Sequence, residues 1–138
     1  MFILETLEDA VYIMRAEPGW DNMDKLTLFY NTVSQVLSTH TQGNQRCILI
    51  YKVRSDFETP YSIYMRTISF LLSIRQQIQD GLDKTVIWLD SDSVKGLLNM
   101  LLTIYTPTRP LKIYSTKEEV FAELPNISTE SKLILEEA

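Results

Sequence analysis

Two short runs constrain the fold of this chain more than anything else in it: Cys47-Ile-Leu-Ile-Tyr-Lys-Val53 and Thr85-Val-Ile-Trp-Leu89. Apolar residues that continue without alternating in and out mark strands covered on both faces, the pattern of a parallel sheet. Between and around them the spacing changes to three and four. Leu26, Phe29, Tyr30, Val33, Val36 and Leu37 form one helical stripe, over about Asp21 to Thr39. Ile63, Ile68, Phe70, Leu71, Leu72, Ile74 and Ile78 form a second, from Pro60 to about Gln79, with Asp80-Gly81 closing it. Val94, Leu97, Leu98, Leu101 and Ile104 form a third, from Ser93 to Tyr105. Strands alternating with helices predict an α/β domain whose mostly parallel sheet is joined by right-handed crossovers.

The ends of the chain complete the pattern. Phe2–Thr6 and Ala10–Ala16, separated by Leu7-Glu8-Asp9, read as an antiparallel hairpin. Leu111-Lys-Ile-Tyr114 reads as the last strand, and Ser115-Thr-Lys-Glu118 as a capping box opening a helix with Val120, Phe121 and Leu124. Element order is then ββαβαβαβα, a single domain over residues 1–125. Residues 126–138, with Leu133-Ile-Leu135 between charges, read either as a short helix or as a disordered tail.

Composition narrows the function classes. Hydrophobic residues make up 45% of the 138, enough for a core, and the formal net charge is −5. An acidic chain without clustered Lys and Arg is not expected to bind nucleic acid. Apolar windows fall short of the roughly 18 residues of a membrane span. The apolar start Met1-Phe-Ile-Leu4 runs at once into Glu5, Glu8 and Asp9, unlike a signal peptide. With one cysteine and no internal disulfide, the expected location is the cytoplasm.

Little in the chain points to catalysis, and the reading is that it is not an enzyme and carries no cofactor or metal. The four glycines, Gly19, Gly43, Gly81 and Gly96, form no phosphate-cradling turn. One Cys and one His cannot build a zinc site. Cys47 reads as a small hydrophobe in a strand and His40 as a solvated residue at a helix end. Asp90-Ser91-Asp92 follows a strand, where acid pairs can hold Mg²⁺, but the same residues are preferred helix caps. Trp88 reads as core, while Trp20, Tyr61 and Tyr64 are candidates to line a pocket.

The stretch between the first central strand and the second helix, Arg54-Ser-Asp-Phe-Glu-Thr-Pro-Tyr-Ser62, reads as a loop and a helix start. Thr59 before Pro60 is a strong N-cap. This segment, the hairpin start and the ending Leu111–Leu124 together resemble the STAS-like domains and their SpoIIAA-like relatives, over roughly residues 1–125. Those family members have a regulatory phosphoserine at the corresponding loop, in a sequence near Asp-Ser-Ser-Gly. Here Glu58-Thr59 stands in for Asp-Ser, and Pro60-Tyr61 replaces the glycine, closer to the divergent SpoIIAA-like branch. The resemblance implies a non-enzymatic regulatory module that docks a protein partner through Arg54, Ser55, Asp56, Phe57, Glu58, Thr59 and Ser62. A phosphate on Thr59 would gain from the helix N-terminus and from Lys52 or Arg54, and be opposed by Asp56 and Glu58. Two alternatives stand beside it: a carrier or sensor of a small apolar, lipid-like ligand, and an enzyme using Asp90 and Asp92. A homodimer through an edge strand or the apolar tail is open.

Overall fold

The computed structural model describes residues 2–16, 23–53, 61–89 and 92–138. Five strands, β1 (Phe2–Glu8), β2 (Val11–Ala16), β3 (Cys47–Lys52), β4 (Leu82–Trp88) and β5 (Leu111–Tyr114), form one sheet in the order of the chain. β1 and β2 are an antiparallel hairpin, and β2 through β5 run parallel. This is the α/β architecture with a mixed, mostly parallel sheet expected from the sequence. The hairpin turns through Ala10, whose φ of 58° is left-handed.

Sequential order has a geometric consequence. Each parallel crossover steps the same way across the sheet, so right-handed connections place every crossover helix on one face. Those helices are α1 (Met23–Gln42), α2 (Tyr61–Ser73), α3 (Arg75–Gly81) and α4 (Asp92–Ile104). Strand residues two apart share a face. Tyr12, Met14, Cys47 and Leu49 therefore pack with Val33 and Leu37 of α1 and Ile78 of α3. Val11, Ile13, Ile50 and Val86 point the other way, where α5 (Lys117–Glu123) and α6 (Thr129–Glu137) cover them with Val120, Leu124 and Leu135.

The second stripe, predicted as one helix, is two. The chain breaks at Ile74, with φ −112° and ψ 24°. Ser73 Oγ donates to the Phe70 carbonyl at 2.6 Å, and a serine bonding back to its own helix loosens the turn it sits in. Other boundaries shift by a few residues. α1 runs on to Gln42 and ends through Asn44, at φ 55°. β4 begins at Leu82, three residues earlier than its apolar run, because Lys84 lies beside α5 and donates to the Glu123 carbonyl at 2.6 Å. The last capping box is Thr116 with Glu119, one residue later than read: Thr116 Oγ1 accepts from the Glu119 amide at 3.3 Å.

After Pro125 the chain forms α6, and Leu135 is wholly buried against the sheet. Its ends are held by opposite charges from the sheet. At the N-terminus, Glu8 Oε2 accepts from Ser131 Oγ at 2.6 Å, Ser128 Oγ at 3.1 Å and the Ser128 amide at 3.2 Å. At the C-terminus, Lys52 Nζ donates to the carbonyls of Leu135 and Glu136 at 2.6 and 2.7 Å. An anion at the start and a cation at the end both complement the helix dipole. Ser131, though polar, is buried, and Glu8 is what satisfies its hydroxyl.

On the opposite face, glycine is required at Gly81. A Cβ there would collide with the Leu37 carbonyl oxygen of α1 and lie 2.9 Å from Thr41 Oγ1. The sequence reading gave Gly81 a capping role, but the structure shows it as the last residue of α3, chosen for close approach to α1. Gly81→Ala is therefore expected to lower stability by about 1–3 kcal/mol in urea unfolding. Gly96→Ala, which meets nothing within 4 Å in α4, is expected to raise it by about 0.5–1 kcal/mol.

Glu8 yields a pH prediction. Hydrogen bonds, that from Ser131 foremost, hold its carboxyl below the ordinary value of 4.5. A carboxylate whose folded pKa is depressed stabilises fully above its unfolded value, and that contribution is lost as pH falls through the folded one. Glu8→Gln is expected to cost about 1–2 kcal/mol at pH 7. Below pH 4.5 its stability should fall less steeply than that of the wild type, as read by urea midpoints across the acid range.

Candidate functional site

The layer between the sheet and helices α1 to α4 contains an apolar space. Period-two alternation turns Met14, Leu49, Tyr51, Thr85 and Ile87 toward these helices. Leu26, Tyr30 and Val33 of α1, Ile63, Tyr64 and Thr67 of α2, Leu98 and Leu101 of α4, and Tyr105 just after α4 line the space from the other side. Where α1 meets α3 the backbones approach closely at Gly81. Between α1, α2, α4 and the sheet a cavity of about 220 Å³ is left. Its walls are almost entirely aliphatic and aromatic, and the polar side chains among its described lining residues are hydroxyls.

One wall is built with defined geometry. Tyr30 stacks on Phe70, with centroids 4.3 Å apart and planes 11° from parallel. Its hydroxyl meets Thr67 Oγ1 at 2.7 Å. Thr67 Oγ1 also donates to the Ile63 carbonyl at 2.8 Å, which uses its only proton. In the Tyr30–Thr67 bond the proton is therefore Tyr30's, and the phenol oxygen keeps its acceptor capacity. Burial pushes the phenols of Tyr51, Tyr30 and Tyr105 up from their ordinary values, Tyr51 furthest. All three remain neutral hydroxyls at physiological pH.

The residues singled out from the sequence fall in different places. Arg54, Ser55, Asp56, Phe57, Glu58 and Thr59 lie outside the described residues, as do Trp20, Asp90 and Ser91. Ser62 is exposed in the first turn of α2, and Asp92 is the first residue of α4. Tyr64 lines the cavity. Trp88 does not: it lies on the α5 side, edge-on to Phe121 at 6.0 Å and beneath Lys52 Nζ at 4.5 Å. Lys52, considered as a partner for a phosphate on Thr59, is engaged by α6 and Trp88.

Cys47 is fully buried, and burial pushes its thiol up to about 11, so at neutral pH it is the small hydrophobe that the sequence suggested. His40 departs from its reading as a solvated residue. It is half-buried, its Nδ1 bonded to the Gln45 carbonyl at 2.9 Å and its Nε2 to Tyr12 Oη at 2.7 Å. A carbonyl only accepts, so Nδ1 carries a proton, and the ring fastens the end of α1 to β2. Among the described residues no three His, Cys, Asp or Glu side chains cluster as metal ligands. Among the same residues no helix is long and apolar enough to cross a membrane.

The cavity was not visible in the sequence, because residues that line a void have the same character as residues that fill a core. Of the aromatic residues offered by the sequence as candidates to line a pocket, Tyr64 is one that lines it. Comparison of the chain with protein-family models, curated proteins and solved structures gives no match.

Proposed function

We propose that this chain is a non-catalytic binding module that carries or senses a small apolar molecule, held between the sheet and helices α1, α2 and α4. The observation that carries this reading is the cavity itself. Protein interiors pack at crystal density with few voids larger than a water molecule. A space of 220 Å³ exceeds an engineered apolar cavity of about 150 Å³ that stays dry and takes up benzene. Leaving such a space empty forfeits contacts that filling it would supply. Native mass spectrometry of the protein purified from its own source is expected to show a co-purifying small molecule. Leu101→Phe, which extends into the cavity from α4, should abolish that adduct while the protein keeps its fold and unfolds at equal or higher urea concentration. An unliganded wild-type mass, with no uptake of any apolar compound offered, would overturn the reading.

A second reading follows from the STAS-like resemblance: a regulatory module that docks a protein partner through residues 54–62. It is favoured by position. The segment joins β3, whose Tyr51 lines the cavity, to α2, whose Ile63 and Tyr64 also line it, and Ser62 at its end is exposed. A partner bound there would sit at the start of the helix whose Ile63 and Tyr64 line the cavity. Under this reading, substitution of Asp56, Phe57 and Thr59 together abolishes partner capture in a pull-down from the native host and leaves stability within about 0.5 kcal/mol. Unchanged capture would remove it.

A further inference from the structure

The chemistry of the cavity lining specifies its ligand further than "apolar", on the premise that the cavity is a binding site. Among the described residues its polar groups are the hydroxyls of Tyr30, Tyr51, Tyr64, Thr67, Thr85 and Tyr105, and no lining side chain carries a charge. Arg66, which acts on Tyr30, and Arg75, which acts on Tyr105, are exposed and outside the lining. A carboxylate or ammonium brought into such a space loses its hydration and gains no counter-charge, the most expensive form of burial. A hydroxyl brought in is matched, because Tyr30 Oη has given its proton to Thr67 and offers a lone pair beside the stacked Phe70 ring.

Size sets the other limit. Scaling from benzene's six carbons in about 150 Å³, a 220 Å³ space suits roughly nine or ten non-hydrogen atoms. We infer that the ligand is an uncharged, mainly aromatic or alkyl molecule of that size bearing a single hydroxyl, which donates to Tyr30 Oη. It is not a fatty-acid anion or other charged amphiphile. The flat Tyr30–Phe70 pair in the wall favours a planar ring over a branched chain.

The test uses three probes of about this size on the full chain at pH 7: 4-ethylphenol, ethylbenzene and 4-methylbenzoate, with binding read by calorimetry and by thermal shift. 4-Ethylphenol is expected to bind at least tenfold more tightly than 4-methylbenzoate and several-fold more tightly than ethylbenzene. Tyr30→Phe removes one oxygen and keeps the ring stacked. It should bring 4-ethylphenol down to the affinity of ethylbenzene while leaving ethylbenzene's own affinity unchanged. If 4-methylbenzoate binds as well as 4-ethylphenol, the exclusion of charge is wrong and the cavity remains a binding site. If Tyr30→Phe leaves 4-ethylphenol binding untouched, the hydroxyl assignment is wrong. If none of the three binds, the premise that the cavity takes a ligand falls with the inference.

Discussion

The structure depends on a constraint of handedness. Because β2 to β5 follow one another across the sheet, all three parallel crossovers turn the same way and deliver α1 to α4 to a single face. The other face would stand bare, with Val11, Ile13, Ile50 and Val86 in water, if nothing after β5 covered it. α5 and α6 do so. α6 is only nine residues long, too short to be stable alone. What holds it is the burial of Leu135 and a charge at each end, Glu8 from the tip of the hairpin and Lys52 from the end of β3. The acid stands on β1 and the base on β3, with β2 between them, so the sheet itself sets the position of the helix.

The crowded face has the opposite problem. Four helices must share it, and they do not pack equally. α1 and α3 come within touching distance because Gly81 has no side chain. α3 is a separate short helix, divided from α2 at Ile74. That break lets Ile74 and Ile78 join the core beneath α1 while Ile63, Tyr64 and Thr67 of α2 face the space left over. The cavity is the remainder after one helix pair has closed up, and the uncharged hydroxyls around it define what that remainder can hold.

Much of the architecture was legible in the sequence, and the reasons are local. The runs at Cys47–Val53 and Thr85–Leu89 are unalternated because both faces of those strands are covered, and the hairpin is marked by two β-type segments around Leu7-Glu8-Asp9. What was not legible depended on distance or on volume. Residues 126–138 could be helix or disorder because Leu133 and Ile134 are exposed beside a buried Leu135. The interactions that decide between the two come from Glu8 and Lys52, separated from their partners by 120 and 83 residues. The break at Ile74 falls within an otherwise uniform apolar stripe. The cavity rests on how far apart α2, α4 and the sheet stand, which no residue pattern encodes. The loop at 54–59, where the resemblance implied docking, lies outside the described residues, while Tyr64, a residue that the sequence offered for a pocket, lines the cavity.

The most direct measurement is a methyl NMR titration of the full chain with benzene, a neutral probe smaller than the cavity. If the space between the sheet and α1, α2 and α4 takes up ligand, the methyls of Leu49, Ile63, Ile87 and Leu101 will shift in a saturable way. Those of Ile13, Ile50, Val86 and Leu135, across the sheet under α5 and α6, will stay in place. Saturable shifts on the first face alone are the predicted result. Shifts spread evenly over both faces, or none at concentrations that fill apolar cavities of about 150 Å³, would contradict the account.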